Sequence, residues 1–258
     1  MSTIKDKLYF KYAGVDSRSF GLISVVLDSG MFEETYVASR EVEETRIPNR
    51  IKPFFRKFNE EKLTFELVLA FEKQFTDTDL KNIQKWLFQD YYQPLVFENH
   101  QNKIFNCVAV GDSSVIHNGL QEGYITVTME CDGPRVYGEP YHLTFSKGAR
   151  PTFTIENDGD DEVPLFISMA NTDAGTFQFN RVFDDIDSYN VKVNNIQFNE
   201  NIIVRSDYEQ FETDRPDIFH YDDIIGDLSK LSIKKGINSY TFTGNADYDI
   251  YYQLTYKW

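Results

Sequence analysis

The stretch TDTDLKNIQKWLFQDYYQPLVFE, residues 76–98, is where the chain asks most clearly for an α-helix. Thr76 is placed to cap it, and Asp79 follows three residues later, the spacing of a capping box. Asp77 and Asp79 put negative charge in the first turn, where the helix macrodipole favours it. Leu80, Ile83 and Leu87 recur at helical spacing and define one apolar stripe. Pro94 is expected to close the segment, with a strand resuming at LVFE, residues 95–98. Nearly everything else reads as short strands. A lone helix in a β-rich domain covers one face or edge of a sheet. This helix is therefore expected to form the lid of the N-terminal core.

On both sides of the helix the apolar period changes to two. In KLTFELVLAF, residues 62–71, Leu63, Phe65, Leu67, Leu69 and Phe71 share one face. In GYITVTMEC, residues 123–131, Ile125, Val127, Met129 and Cys131 point inward and Thr126, Thr128 and Glu130 outward. LYFKY and FGLISVVL, within residues 8–27, read as two strands around a turn-rich link. KIFNCVAV at 103–110 is a further strand, and GDSSVIHNG after it reads as a loop. Residues 28–61 mix charges of both signs with isolated apolar residues, and Pro48 and Pro53 exclude a central strand there. That composition fits a projecting hairpin or arm, and equally a long surface loop. DGPRVYGEP at 132–140 packs two Pro and two Gly into nine residues and marks a domain boundary. The domains are placed at 1–135 and 136–258.

The second half reads as strands and turns: HLTF, TFTIEN, LFISMA, TFQFN, YNVKV, NIQFN, NIIVRS, SYTFTG and YDIYYQLTYKW. Turn signals such as DGDD, NTDAG and GNAD separate them. Short strands at this spacing predict a β-sandwich. Along the last strand Ile250, Tyr252, Leu254, Tyr256 and Trp258 alternate, which predicts a buried Trp258.

Composition narrows the function. A chain of 258 residues with 41% hydrophobic content has room for a packed core. The net charge of -15 argues against general nucleic-acid binding, which needs cations to neutralise phosphates. Residues 1–137 carry 16 basic and 20 acidic side chains, and residues 138–258 carry 10 and 21, so the acidity is concentrated in the second half. No apolar run approaches a membrane span, and the first residues lack the apolar segment of a secretory signal. Cys107 and Cys131 fall inside strand patterns and read as small core residues, consistent with folding in a cytoplasm.

The search for chemistry finds little. His100, His117, His142 and His220 have no metal-site spacing. No nucleophile elbow, phosphate loop or dinucleotide fingerprint is present. NDGDDE at 157–162 gathers hard oxygen ligands suited to calcium, but its spacing departs from an EF-hand loop, and a solvated turn accounts for it. DYEQFETDRPDIFHYDD at 207–223 reads as a long surface loop or docking segment. Its carboxylates suit a glycosidase only if two of them pair at about 5 to 10 Å. Exposed aromatics in this half would alternatively stack on sugars, so a carbohydrate-binding module stays open beside a structural role. No catalytic, cofactor-binding or metal-binding residue is assigned.

Several stretches taken together resemble the distal tail (Dit) protein family of siphophages. These are FKYAGVDSRSFGLISV at 10–25, REVEETRIPNR at 40–50, KWLFQDYYQPLVFEN at 85–99 and GYITVTMECDGP at 123–134. In the second half they are TFTIENDGDDEVPLFISM at 152–169 and the closing LSKLSIKKGINSYTFTGNADYDIYYQLTYKW at 228–258. Asn49 stands where the family usually has Gly, and Asn tolerates the same left-handed backbone. The resemblance covers nearly the whole chain through the order and spacing of its motifs. It implies a mainly β protein: an N-terminal β-sandwich with one α-helix and an extended arm, then a C-terminal galectin-like β-sandwich. It further implies a homohexameric ring in the virion tail tip, assembled in the host cytoplasm. The arm at 30–61 would embrace a neighbour, which makes Arg46, Arg50, Phe54 and Phe55 the expected interface residues. One face of the ring would stack on the tail tube protein and the other on the tail-tip hub protein. In some relatives a receptor-binding protein docks on the second domain. DNA would pass only as cargo, through a pore with an acidic lining, and no cofactor or membrane is implied.

Overall fold

The computed structural model describes residues 9–25, 37–118, 122–183 and 187–258. The chain divides into two compact units, Met1–Gly138 with Lys257–Trp258, and Glu139–Tyr256.

The strands of the first unit are β1 (Phe10–Tyr12), β2 (Val15–Asp16), β3 (Leu22–Ser24), β4 (Arg40–Thr45), β5 (Phe54–Glu60), β6 (Thr64–Phe71), β7 (Gln93–Phe97), β8 (Ile104–His117) and β9 (Gly123–Cys131). The helix α1 (Asp77–Leu87) lies between β6 and β7, and Val136–Phe145 (β10) leads out of the unit. Antiparallel pairing runs in the order β3-β6-β9-β8-β7-β1-β2. The alternation along β6 and β9 buries Phe65, Leu67 and Leu69 with Ile125, Val127, Met129 and Cys131. Cys107 lies directly opposite Cys131 across β8 and β9. Both are buried free thiols, and burial beside Cys131 pushes the Cys107 thiol well up, which disfavours its thiolate.

Helix α1 starts as its sequence dictates. The Thr76 N–H donates to Asp79 Oδ2 at 2.8 Å, and the Asp79 N–H donates back to Thr76 Oγ1 at 3.2 Å. This start turns Ile83, Trp86 and Leu87 into the core, while Leu80 is only half-buried. The Trp86 indole N–H donates to the Tyr12 carbonyl at 2.9 Å. Its ring stacks on Phe20 at 4.5 Å and on Phe10 at 5.7 Å between centroids.

The second unit holds β11 (Thr152–Asn157), β12 (Val163–Pro164), β13 (Phe166–Ala170), β14 (Gly175–Phe183), β15 (Asp187–Ile196), β16 (Ile202–Arg205), β17 (Gln210–Thr213), β18 (Ile224–Ile225), β19 (Ser232–Ile233), β20 (Gly236–Thr243) and β21 (Asp247–Tyr256). One sheet has the order β17-β16-β13-β21-β10 and the other β11-β20-β14-β15-β18, with β12 and β19 as a small ribbon. Their apolar faces share a single core that includes Ile167, Val204, Phe177, Phe179, Phe242 and Tyr248. Gly244, in the turn between β20 and β21, has φ +114°, and a Cβ there would lie 2.3 Å from the Phe177 ring. That is why the GNAD turn takes glycine at this position.

Several sequence expectations need correction. Pro94 does not end the helix; α1 stops at Leu87, and Pro94 lies inside β7, opposite Asn106. GDSSVIHNG is not a loop through most of its length: β8 continues to His117 along β9, and a bulge between Val110 and Ser114 absorbs the extra residues. DGPRVYGEP does not stay a turn, because β10 begins at Val136. NIQFN forms no strand of its own. It is the end of β15 and a turn, bounded by left-handed Asn195 and Asn199. The stretch 207–223 contains β17, whose Phe211 is buried. Trp258 lies beyond the end of β21 and is half-buried, with its ring edge-on to Phe105 at 5.0 Å.

Among the described residues α1 is the one α-helix, and no helix is long and apolar enough to cross a membrane. Replacing Thr76 with Ala removes the cap and is expected to cost about 1 kcal/mol, read as a shift in the denaturant midpoint. A second expectation concerns acid. Hydrogen bonds hold five carboxyls below the usual range: Asp79 by Thr76, Asp173 by Lys147, Asp214 by the Asn201 N–H, Asp227 by Ser229 and Asp247 by Asn171. A carboxyl depressed in the folded state adds stability above its unfolded value near about 4, and that stability is lost as pH falls through the folded value. Burial raises Asp132, which acts in the opposite direction. The melting temperature is therefore expected to fall between about pH 5 and about pH 2, and a calorimetric titration over that window checks it.

Candidate assembly surface

Strands β4 and β5 form a two-stranded hairpin that joins no other sheet. Its turn, residues 46–53, holds both prolines that exclude a central strand. Asn49 takes the left-handed conformation at φ 67°, and the Arg50 N–H donates to the Ile47 carbonyl at 3.1 Å. At the base Glu61 N–H donates to the Ser39 carbonyl at 2.8 Å, and Arg135 pairs with Glu60 at 2.5 Å. The part of the 30–61 arm at 30–36 lies outside the described residues.

Every residue of β5 is exposed. Phe54, Phe55 and Phe58 show 62%, 52% and 49% of their surface to solvent. The register of the hairpin shifts between Glu43 and Glu44, so that Arg56 bulges out of β5. In a regular strand residues 55 and 58 would point to opposite faces. The bulge brings them together, with ring centroids 5.0 Å apart. Val42 lies opposite Phe58, and the Arg40 guanidinium sits 5.0 Å over the Phe58 ring. The result is an apolar patch edged by cations on a finger with no core beneath it.

Of the four residues singled out from the sequence, Arg46 sits at the tip, 4.0 Å from Glu44. Arg50 lies in the turn, and Phe54 and Phe55 open β5. Phe55 belongs to the aromatic cluster with Phe58 and Val42, which the sequence reading missed. The missing signal was the bulge, since period-two reading puts Phe55 and Phe58 on opposite faces.

The other candidate chemistry resolves differently. In NDGDDE the Asn157 side chain is buried, donates to the carbonyls of Asp161 and Ile233 and accepts from the Gly159 N–H. Asp158 accepts from Tyr256, whose phenol is pushed up to about 12 by burial and by that contact. Asp160 faces Lys235 at 3.6 Å, and Glu162 is tied to Ser232 beside the buried Arg181. These groups are engaged in different directions as a structural turn.

Within 207–223 the buried His220 contacts Glu200 at 2.8 Å through Nε2 and Asp223 at 3.1 Å through Nδ1. Glu200 is itself fully buried and accepts from the Gln197 N–H and Thr213. This cluster anchors a loop whose Phe219 and Tyr221 face outward. Phe177, Phe179, Phe211, Tyr240, Phe242 and Tyr248 of the second unit are buried core, while Tyr141, Phe198, Tyr208 and Tyr251 are exposed like Phe219 and Tyr221.

The described residues thus form a mainly antiparallel β protein with one capped helix and a separate two-stranded hairpin. Residues 5–133, half of the chain, match the family described as phage tail protein N-terminal domain, and the protein belongs to that family. It is 25% identical over 169 residues to the SPbeta prophage-derived uncharacterized protein YomH of Bacillus subtilis strain 168, a match spanning 64% of this chain and 66% of that one. Its fold is that of the SPP1 Dit protein, a hub of the adsorption apparatus of phages infecting Gram-positive hosts. The TM-score is 0.69 at 14% identity, over 96% of this chain and 99% of that one. A chain of the phage P2 baseplate in its activated conformation aligns over 96% of this chain and 98% of its own at a TM-score of 0.54 and 8% identity. The chain is thus a phage tail protein with the Dit fold.

Replacing Phe55 and Phe58 together with Ser removes two half-exposed rings. The unfolding free energy is expected to change by no more than about 0.5 kcal/mol, the range of a surface change, while self-association measured by light scattering weakens.

Proposed function

We propose that this protein is a structural hub of the phage tail tip, in which six copies close into a ring and each β4–β5 arm embraces its neighbour. The observation that carries this reading is the arm itself. An isolated two-stranded hairpin is marginally stable in water, yet this one presents three Phe, Val42, Ile47 and Ile51 to solvent. A second copy of the chain is the partner that every copy has at hand. A heterologous contact of this kind closes a ring when the rotation per copy divides the circle.

In the virion, one face of the ring stacks on the tail tube protein and the other on the tail-tip hub protein. The second unit acts as a galectin-like domain on which a receptor-binding protein docks. DNA passes through the pore as cargo. The role is structural and calls for no catalytic step. A carbohydrate-binding role is the second reading, and the exposed Tyr208, Phe219 and Tyr221 of the second unit are what favour it.

The test is the mass of the purified protein, alone and mixed with its tail tube and tail-tip partners, by native mass spectrometry. Hexamers are expected, with a central hole in negative-stain images. A variant in which a short Gly-Ser link replaces residues 40–60 is expected to melt as a folded monomer. Rings from that variant would overturn the arm assignment, and a parent protein that stays monomeric with both partners would overturn the ring.

A further inference from the structure

We propose that the cleft between α1 and the distal half of β8 is the seat for the arm tip of a second copy of this chain. The proposal rests on the ring reading above and names the surface that such a ring uses.

The cleft encloses about 630 Å³. Asp77, Leu80, Lys81 and Phe88 line it from the helix side, and Asp112 and Val115 from the strand side. It lies where β8 leaves its regular ladder. Gly111 is left-handed at φ 69°, and pairing with β9 resumes only at Ser114. Phe88 and Val115 are large apolar residues exposed along its walls.

The arm tip is complementary to this cleft in both polarity and charge. Residues 46–53, RIPNRIKP, carry three cations and no acid. Ile47 and Ile51 are exposed at the tip, Ile51 completely. The cleft sets two carboxylates, Asp77 and Asp112, against one ammonium, Lys81. Seating Ile47 and Ile51 between Leu80, Phe88 and Val115 buries apolar surface that neither partner covers alone. The same pose brings Arg46 and Arg50 toward the carboxylates. Beyond its base the arm has six paired residues on β4, a reach of about 20 Å at about 3.3 Å per residue. Each copy then gives one tip and receives one, as a closed ring of heterologous contacts requires.

Charge exchange tests the pairing. Native mass spectrometry at low ionic strength would compare the parent with R46E/R50E in the arm, D77K/D112K in the cleft, and the two sets combined. Each set alone is expected to lower the ring population at least about tenfold, and the combination to restore it, since like charges now face each other only in the separate variants. Val115→Ser, at an exposed position on β8 and not in the helix, reports on the same cleft if the Asp77 change disturbs the helix, and it is expected to weaken the ring as well. If the arm variant dissociates rings while D77K/D112K and Val115→Ser assemble like the parent, the cleft assignment is overturned and the ring stands. A combined variant no better than the arm variant overturns the assignment too. If the parent forms no ring even with its tail partners, the ring reading fails and takes this inference with it.

Discussion

The first unit depends on the burial of one indole. Trp86 is large and apolar, but its ring N–H needs an acceptor once water is excluded. The Tyr12 carbonyl, at the end of β1, supplies it. That single bond ties α1 to β1, and the stacking of Phe10 and Phe20 on the indole holds the surrounding chain. The capping box serves the same contact from the other end. By fixing where the helix begins, it fixes which residues of each turn face inward, and so puts Ile83, Trp86 and Leu87 on the sheet side. Helix start, core packing and the placement of β1 are therefore one coupled solution.

The finger formed by β4 and β5 obeys the opposite constraint. Among the described residues it pairs with no other strand, and its bulge gathers aromatic rings on one side. Burial against a partner compensates such an arrangement; burial within the chain does not. The fold places a packed, capped core beside a segment that gains by being covered.

How much was legible in the sequence depended on the range of the interactions. Thr76 and Asp79 sit three residues apart, and their box was readable because both partners are local. The alternation in β6 and β9 was readable because burial there follows a strict period of two. The continuation of β8 past Gly111 was not, since Gly-Asp-Ser-Ser carries turn chemistry and only pairing with β9 overrides it. Pro94 misled for a related reason. Proline stops a helix, but here the helix has already ended, and Pro94 sits in β7 just beyond the residues that pair with β1, where no ladder N–H is needed on that side. The acid-rich stretch 207–223 looked solvated because its anchor, His220 on Glu200, joins residues 20 apart.

The sequence by itself determined a β-rich chain with one capped helix and core cysteines, which follow from composition, periodicity and contacts between near neighbours. Its resemblance to a siphophage tail family rests separately on the order of its motifs. Only the tertiary structure decided that Phe55 and Phe58 form one patch, that Cys107 faces Cys131, and that a cleft opens between α1 and β8. Each of those depends on strand register and bulges. Register is set by pairing between distant segments, and one residue of slip moves a side chain to the other face.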